Sequence, residues 1–165
     1  MRLFLLRHAL AKEGAFDDAR PLSGGGEAQV RRLCSVLNKE LFTSLAQIWH
    51  SPYLRASQTA EMFKECMGLG AQCVVANNIR PIDPAESAAA SIASISGFGG
   101  DLLIVGHNPN LEELANILLG HSRPFAKTRF SNCAIACFEL EDFPNAANKF
   151  GTWSLEFLVS PQTLG

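Results

Sequence analysis

Met1-Arg2-Leu3-Phe4-Leu5-Leu6-Arg7-His8 is the stretch on which the reading of this chain turns. Leu3 to Leu6 form an unbroken apolar run, the pattern of a short strand buried on both faces inside a helix-covered sheet. The strand spans residues 1–7, ends on two basic side chains, and leads into a loop over 8–22. Working outward, the same grammar repeats. From Gly25 to Phe42, Val30, Leu33, Cys34, Leu37 and Leu41 recur at helical spacing, opposite Arg31, Arg32, Asn38 and Lys39. Ser23 is placed to cap that helix. Ala46 to His50 reads as a second strand. Ser51-Pro52 then reads as a helix start, a cap residue followed by proline at the first helical position. Ala56, Thr59, Ala60, Phe63 and Met67 supply the buried stripe of that helix.

Further along, Cys73–Ala76 predicts a short strand, 77–84 a loop, and the Ala/Ser-rich stretch 85–96 a helix. Asp101–Val105 repeats the buried-strand pattern and runs into Gly106-His107-Asn108-Pro109. Leu111, Leu114, Ala115 and Leu118 stripe a helix over 110–119, which Gly120 ends. Residues 129–140 and 150–159 carry β-formers around an Asn/Pro-rich turn and predict a hairpin. Strand–helix alternation followed by a strand pair implies an α/β fold in which a mixed, mainly parallel sheet is covered by helices. The 165 residues suit one domain, 1–165, with neither a repeat nor a linker.

Composition limits the function. The chain is 47% hydrophobic and 18% charged, enough to bury a core and too apolar for intrinsic disorder. Fourteen basic against sixteen acidic residues leave a formal charge of −2, which argues against nucleic acid or an anionic membrane as the main partner. The N-terminal apolar run is too short for a signal-peptide core or a membrane span, so a cytoplasmic protein is expected. Five cysteines without a C-x-x-C pair suit reduced thiols, and the four histidines show no metal-ligating spacing. Neither a metal nor an organic cofactor is expected.

Three segments set basic residues where a strand ends or a helix begins: Arg7-His8, Ser51-Pro52-Tyr53-Leu54-Arg55, and Gly106-His107-Asn108-Pro109. Ligands of open α/β sheets bind at the carboxyl ends of the strands, and helix N-termini favour anions. Two arginines and two histidines converging there would suit a tetrahedral dianion such as phosphate. Each segment alone has a plainer reading: a polar strand end, a capped helix with a solvated arginine, or a turn capped by Asn108. Gly24-Gly25-Gly26 lacks any phosphate-loop pattern and reads as a flexible helix entry. Arg20, with Asp18 beside it, reads as a structural or rim residue. His50 and His121 read as core or surface histidines, and Glu139, Glu141 and Asp142 as a solvated turn.

Together, Leu6-Arg7-His8-Ala9, Arg20-Pro21-Leu22-Ser23-x-x-Gly26, Ser51 to Thr59 and Val105 to Pro109 resemble the histidine phosphatase superfamily. Within it the resemblance is to the short SixA-type phosphohistidine phosphatases. The resemblance implies a three-layer α/β/α, phosphoglycerate mutase-like fold and a hydrolase acting in signalling. His8 would be the nucleophile, forming a phosphohistidine enzyme intermediate that water then hydrolyses. Arg7 and Arg55 would hold the phosphoryl oxygens, and His107 would complete the pocket. The implied partner is a histidine-phosphorylated protein, such as a phosphotransfer domain. Two departures stand out: Ala9 replaces the usual glycine, and no general acid falls in a motif, Glu86 and Asp83 lying only in the right region. A phosphomonoesterase of a small metabolite and a non-catalytic phosphoprotein-binding module remain the alternatives.

Overall fold

The apolar strands alternate their side chains between two helical layers. The computed structural model describes residues 1–120 and 128–163. Its elements run β1 (Arg2–Arg7), α1 (Gly24–Val36), β2 (Leu45–His50), α2 (Leu54–Met67), β3 (Gln72–Val75), α3 (Ala85–Ile95), β4 (Asp101–Gly106), α4 (Asn110–Leu118), β5 (Ile135–Asp142) and β6 (Thr152–Val159). On one face of the sheet, Phe4, Leu6, Leu103 and Val105 pack with Val30 and Leu33 of α1 and Ala60 and Phe63 of α2. On the other, Leu3, Leu5, Leu102 and Ile104 pack with Ala88 and Ile92 of α3 and Leu111 and Leu114 of α4. The period of two along β1 and β4 thus divides one apolar run between two cores. The result is a three-layer α/β/α fold.

The sheet has the order β3-β2-β4-β1-β5-β6. β3, β2, β4 and β1 pair in parallel, while β5 and β6 add antiparallel. β1 and β4 lie side by side, Leu6 opposite Val105 and Arg7 opposite Gly106. Their carboxyl ends therefore deliver residues 8 and 107 to the same edge. Among the described residues, no helix is long and apolar enough to cross a membrane.

Several element boundaries differ from expectation. The helix expected over Gly25–Phe42 ends at Val36: Leu37 turns extended, and Asn38 caps a separate 3-10 turn at Lys39–Phe42. The second helix begins at Leu54 rather than at Pro52. The Ser51 N–H is already committed to the Val105 carbonyl at 3.0 Å, which holds Ser51 against β4 just past the end of β2. Asn108 is no helix cap. Its amide instead donates to Glu112 Oε1 at 2.8 Å and to the Phe130 carbonyl at 2.9 Å. β3 and β5 are each displaced along the chain from the predicted 73–76 and 129–140. Glu139, Glu141 and Asp142 consequently belong to β5 instead of a turn.

The three glycines are not equivalent. A Cβ on Gly26 would stand 2.1 Å from the Leu10 carbonyl oxygen, whereas Gly24 faces open space. Gly26 is therefore a close-approach residue, and the expected flexible entry is a tight junction. Ser23 caps α1 as expected, its Oγ accepting from the Gly26 N–H and donating to Leu10 O, both at 3.0 Å. These contacts staple the loop after β1 to the start of α1.

Candidate active site

The backbone after β1 is held on three sides. The His8 N–H donates to the Gly106 carbonyl at 3.0 Å, and the His8 carbonyl accepts from Cys133 N–H at 3.2 Å. Ala9 is fully buried, with its N–H on Thr59 Oγ1 at 3.1 Å, so the compact methyl fits where the resembled pattern has glycine. Thr59 Oγ1 in turn donates to the Arg55 carbonyl, tying α2 to the same loop.

Around this loop lies a cavity of about 390 Å³, lined in part by Arg7, His8, Arg20, Arg55, His107 and Asn132. His8, Arg55 and His107 are buried, and the two imidazoles lie 4.8 Å apart between ring centroids. His8 Nδ1 is 2.8 Å from the Ala9 carbonyl, which can only accept, so the ring proton resides on Nδ1. The Nε2 lone pair then accepts from Arg55 Nε at 3.2 Å. Burial, followed by the charges of Arg55, Arg7 and Arg20, lowers the His8 pKa to about 4 despite the opposing Ala9 hydrogen bond. His8 is a neutral base at physiological pH.

The remaining cations are anchored from behind. Arg7 Nη1 donates to the Phe130 carbonyl at 2.8 Å, and burial lowers its pKa from the ordinary arginine value. Arg55 lies 4.9 Å from the Tyr53 ring centroid and donates Nη2 to Asp17 Oδ2 at 3.0 Å. Its Nη1 donates to the Asp17 carbonyl. Burial first, then His8 and Arg55, lower the His107 pKa to about 3. Arg7 Nε and both ring nitrogens of His107 are buried without a hydrogen-bond partner among the described residues. Buried polar atoms are ordinarily paired, so such a cluster beside guanidinium groups fits an oxyanion ligand.

All four residues singled out from the sequence, Arg7, His8, Arg55 and His107, meet at this cavity. The two acid candidates do not line it. Asp83 is bound to Arg80 through its side chain, with Nη2 to Oδ1 at 2.9 Å, and Glu86 lies in the first turn of α3. The carboxylate that does reach the cavity is Asp17, not Asp18; the Asp18 carbonyl accepts the Leu54 N–H at 2.9 Å. Asn132 was not anticipated either. Both come from loops, and only the fold brings them close. Arg20 lies on the lining as expected of a rim residue, held by Asp17 and the Lys12 carbonyl. His50 is buried at the end of β2, and His121 lies outside the described residues.

Residues 3–86 match the model of the histidine phosphatase superfamily (branch 1), and the chain belongs to that family. Among individual relatives, phosphohistidine phosphatase SixA of Escherichia coli (strain K12) is 27% identical over 148 residues, covering 88% of this chain and 89% of that protein. The solved structure of the protein histidine phosphatase SixA complexed with tungstate superimposes with a TM-score of 0.85 at 25% identity, covering 100% of both chains. A mycobacterial glucosyl-3-phosphoglycerate phosphatase complexed with VO3 has a TM-score of 0.69 at 17% identity over 94% of this chain and 97% of that one, a likeness of fold. The fold is thus that of the phosphoglycerate mutase-like phosphatases.

Proposed function

We propose that the protein, acting as one domain, hydrolyses phosphohistidine on proteins through a covalent intermediate at His8. The observation that carries this reading is the neutral His8 imidazole, its Nε2 lone pair held by Arg55 Nε at the wall of a cavity that also gathers Arg7 and the His107 ring, unpartnered among the described residues. In the first step the Arg55 Nε–H gives up its hydrogen bond to His8 and turns to a phosphoryl oxygen. The freed Nε2 lone pair attacks phosphorus, the His8 Nε2–P bond forms, and the bond to the substrate's ring nitrogen breaks. Arg7 and Arg55 hold the phosphoryl oxygens and neutralise charge that builds in transfer, and His107 adds a donor once an oxyanion raises its affinity for a proton. Water then attacks phosphorus, breaks the His8–P bond and releases inorganic phosphate. The likeness to SixA supports this substrate class.

That no protonated acid lines the cavity among the described residues supports it further. An alkoxide leaving group needs a proton, whereas an imidazole already protonated on its other nitrogen departs neutral. Asp83 and Glu86 do not line the cavity, and Asp17 is held ionised by two arginines, which disfavours a phosphomonoesterase. A histidine-phosphorylated protein such as a phosphotransfer domain is the proposed partner, and signalling in the cytoplasm the proposed setting. The test pairs wild type with His8→Ala on a histidine-phosphorylated phosphotransfer domain and on an aryl phosphate. His8-dependent loss of phosphohistidine with feeble aryl phosphate hydrolysis is expected. The reverse preference would refute the substrate, and binding without turnover would make the protein a binding module.

A further inference from the structure

Asp17 supplies the one acidic side chain among the described residues lining the cavity. Burial alone would raise its pKa, but hydrogen bonds from Arg20 and Arg55 outweigh this and hold it below the ordinary carboxylate value. It is therefore ionised at neutral pH and carries no proton to give to a leaving group. Oδ1 accepts from Arg20 and Oδ2 from Arg55, each at 3.0 Å, leaving spare acceptor capacity on both oxygens. The side chain is 56% exposed, so that capacity is open to a ligand.

A fixed negative charge at the lip of an anion pocket opposes phosphate binding. It also competes for the Arg55 guanidinium. Such a group favours a ligand only if a donor or a positive charge lies next to the phosphoryl group. An ester oxygen offers neither. An N-phosphoryl imidazole protonated on its second ring nitrogen offers both.

We propose that Asp17 is a specificity-determining residue: its carboxylate accepts the ring N–H of a protonated phosphohistidine and so selects that substrate over phosphate esters. The proposal rests on the function argued above. It also completes the proton balance. As the His8 Nε2–P bond forms, the substrate's P–N bond breaks and its electron pair returns to the ring. The ring leaves as neutral imidazole, keeping the N–H that it donates to Asp17, so no general acid is consumed.

The experiment measures phosphate release from free Nε2-phosphohistidine and from p-nitrophenyl phosphate by wild type, Asp17→Asn and Asp17→Glu. Asp17→Asn should lower kcat/KM for phosphohistidine by about ten-fold or more beyond its effect on the ester, the range of a hydrogen bond to a charged group. Asp17→Glu should restore part of that preference. Because Asp17 pairs with the buried Arg55, Asp17→Asn should lower the melting temperature somewhat while the protein stays folded, and Asp17→Glu less, so both substrates are compared on the same folded sample. Equal losses on the two substrates would mean that Asp17 only orients Arg55, and no loss would mean that it is inert; either result overturns the proposal. Wild type that cleaves the ester but leaves phosphohistidine intact would instead refute the functional reading, and this proposal with it.

Discussion

Two cavities lie at opposite ends of the same central strands and are close in size. One of about 320 Å³ opens at the amino end beside Met1, Gln47, Phe98 and Leu102; the other, of about 390 Å³, opens at the carboxyl end around His8. β4 joins them, and its two ends hold buried polar groups of opposite character. At the amino end, the Asp101 carboxylate is satisfied, accepting the Arg2 N–H at 2.6 Å. Just beyond the carboxyl end, His107 is also buried but neither ring nitrogen has a partner among the described residues. Volume therefore does not separate the proposed active-site cleft from the cavity at the amino end. What separates them is whether buried polar groups have spent their hydrogen bonds within the fold.

That contrast can be broken most decisively at His8. His8→Ala should reduce turnover at least about 10³-fold, the scale of losing a nucleophile, in a protein that still folds. A folded variant with near wild-type turnover would end the covalent scheme. Arg55→Ala should follow with a loss of roughly 10²–10³-fold, because it removes both a phosphoryl donor and the hydrogen bond to His8. Arg55→Lys should recover little, since an ammonium restores charge but not the guanidinium fork. A lysine variant as fast as wild type would reduce Arg55 to a point charge.

The carboxyl end should also carry a stability cost that varies with pH. His8 and His107 have folded pKa values of about 4 and about 3, chiefly through burial, against an ordinary value of 6.5. Below that ordinary value the unfolded chain takes up protons that the folded protein refuses. Stability is therefore complete above about pH 6.5 and falls as pH drops toward 4 and then 3. The combined effect is on the order of a few kcal/mol. Melting temperatures from pH 7.5 to 4.5 should decline for wild type and decline less for His107→Gln. Identical slopes would show that His107 is not held neutral. Ring resonances of His8 should show no charge change between pH 5 and 8.

The four residues of the pocket were legible because each sits in a short motif at a strand end or helix start. Other features were not. Leu37 and Leu41 continue the apolar period of α1, and nothing local reveals that the chain turns extended at Leu37 and restarts at Asn38. Ser51-Pro52 has the form of a helix start, yet a sheet hydrogen bond to Val105, 54 residues away, holds Ser51 back. Gly24, Gly25 and Gly26 are alike in sequence; only contact with the Leu10 carbonyl distinguishes the third. Asp17 meets Arg55 across 38 positions, a pairing that no local pattern encodes. Local signals predicted which strand ends converge, whereas loop residues reached the cavity through long-range contacts.

The smallest expected effect lies at the amino end and tests the comparison from its quiet side. Asp101→Ala removes the acceptor of the half-buried Arg2 N–H and should cost about 1 kcal/mol of stability, the lower end of the penalty for leaving a donor unpaired. Turnover by the folded variant should be unchanged, because Asp101 and the His8 cavity occupy opposite ends of β4. Denaturant unfolding and a kcat measurement on the same sample would check both halves. Lost stability with intact kcat would assign the amino end to the scaffold. A loss of kcat in protein that remains folded would instead mean that the two ends of β4 are coupled, and that a satisfied hydrogen bond is not enough to mark a cavity as purely structural.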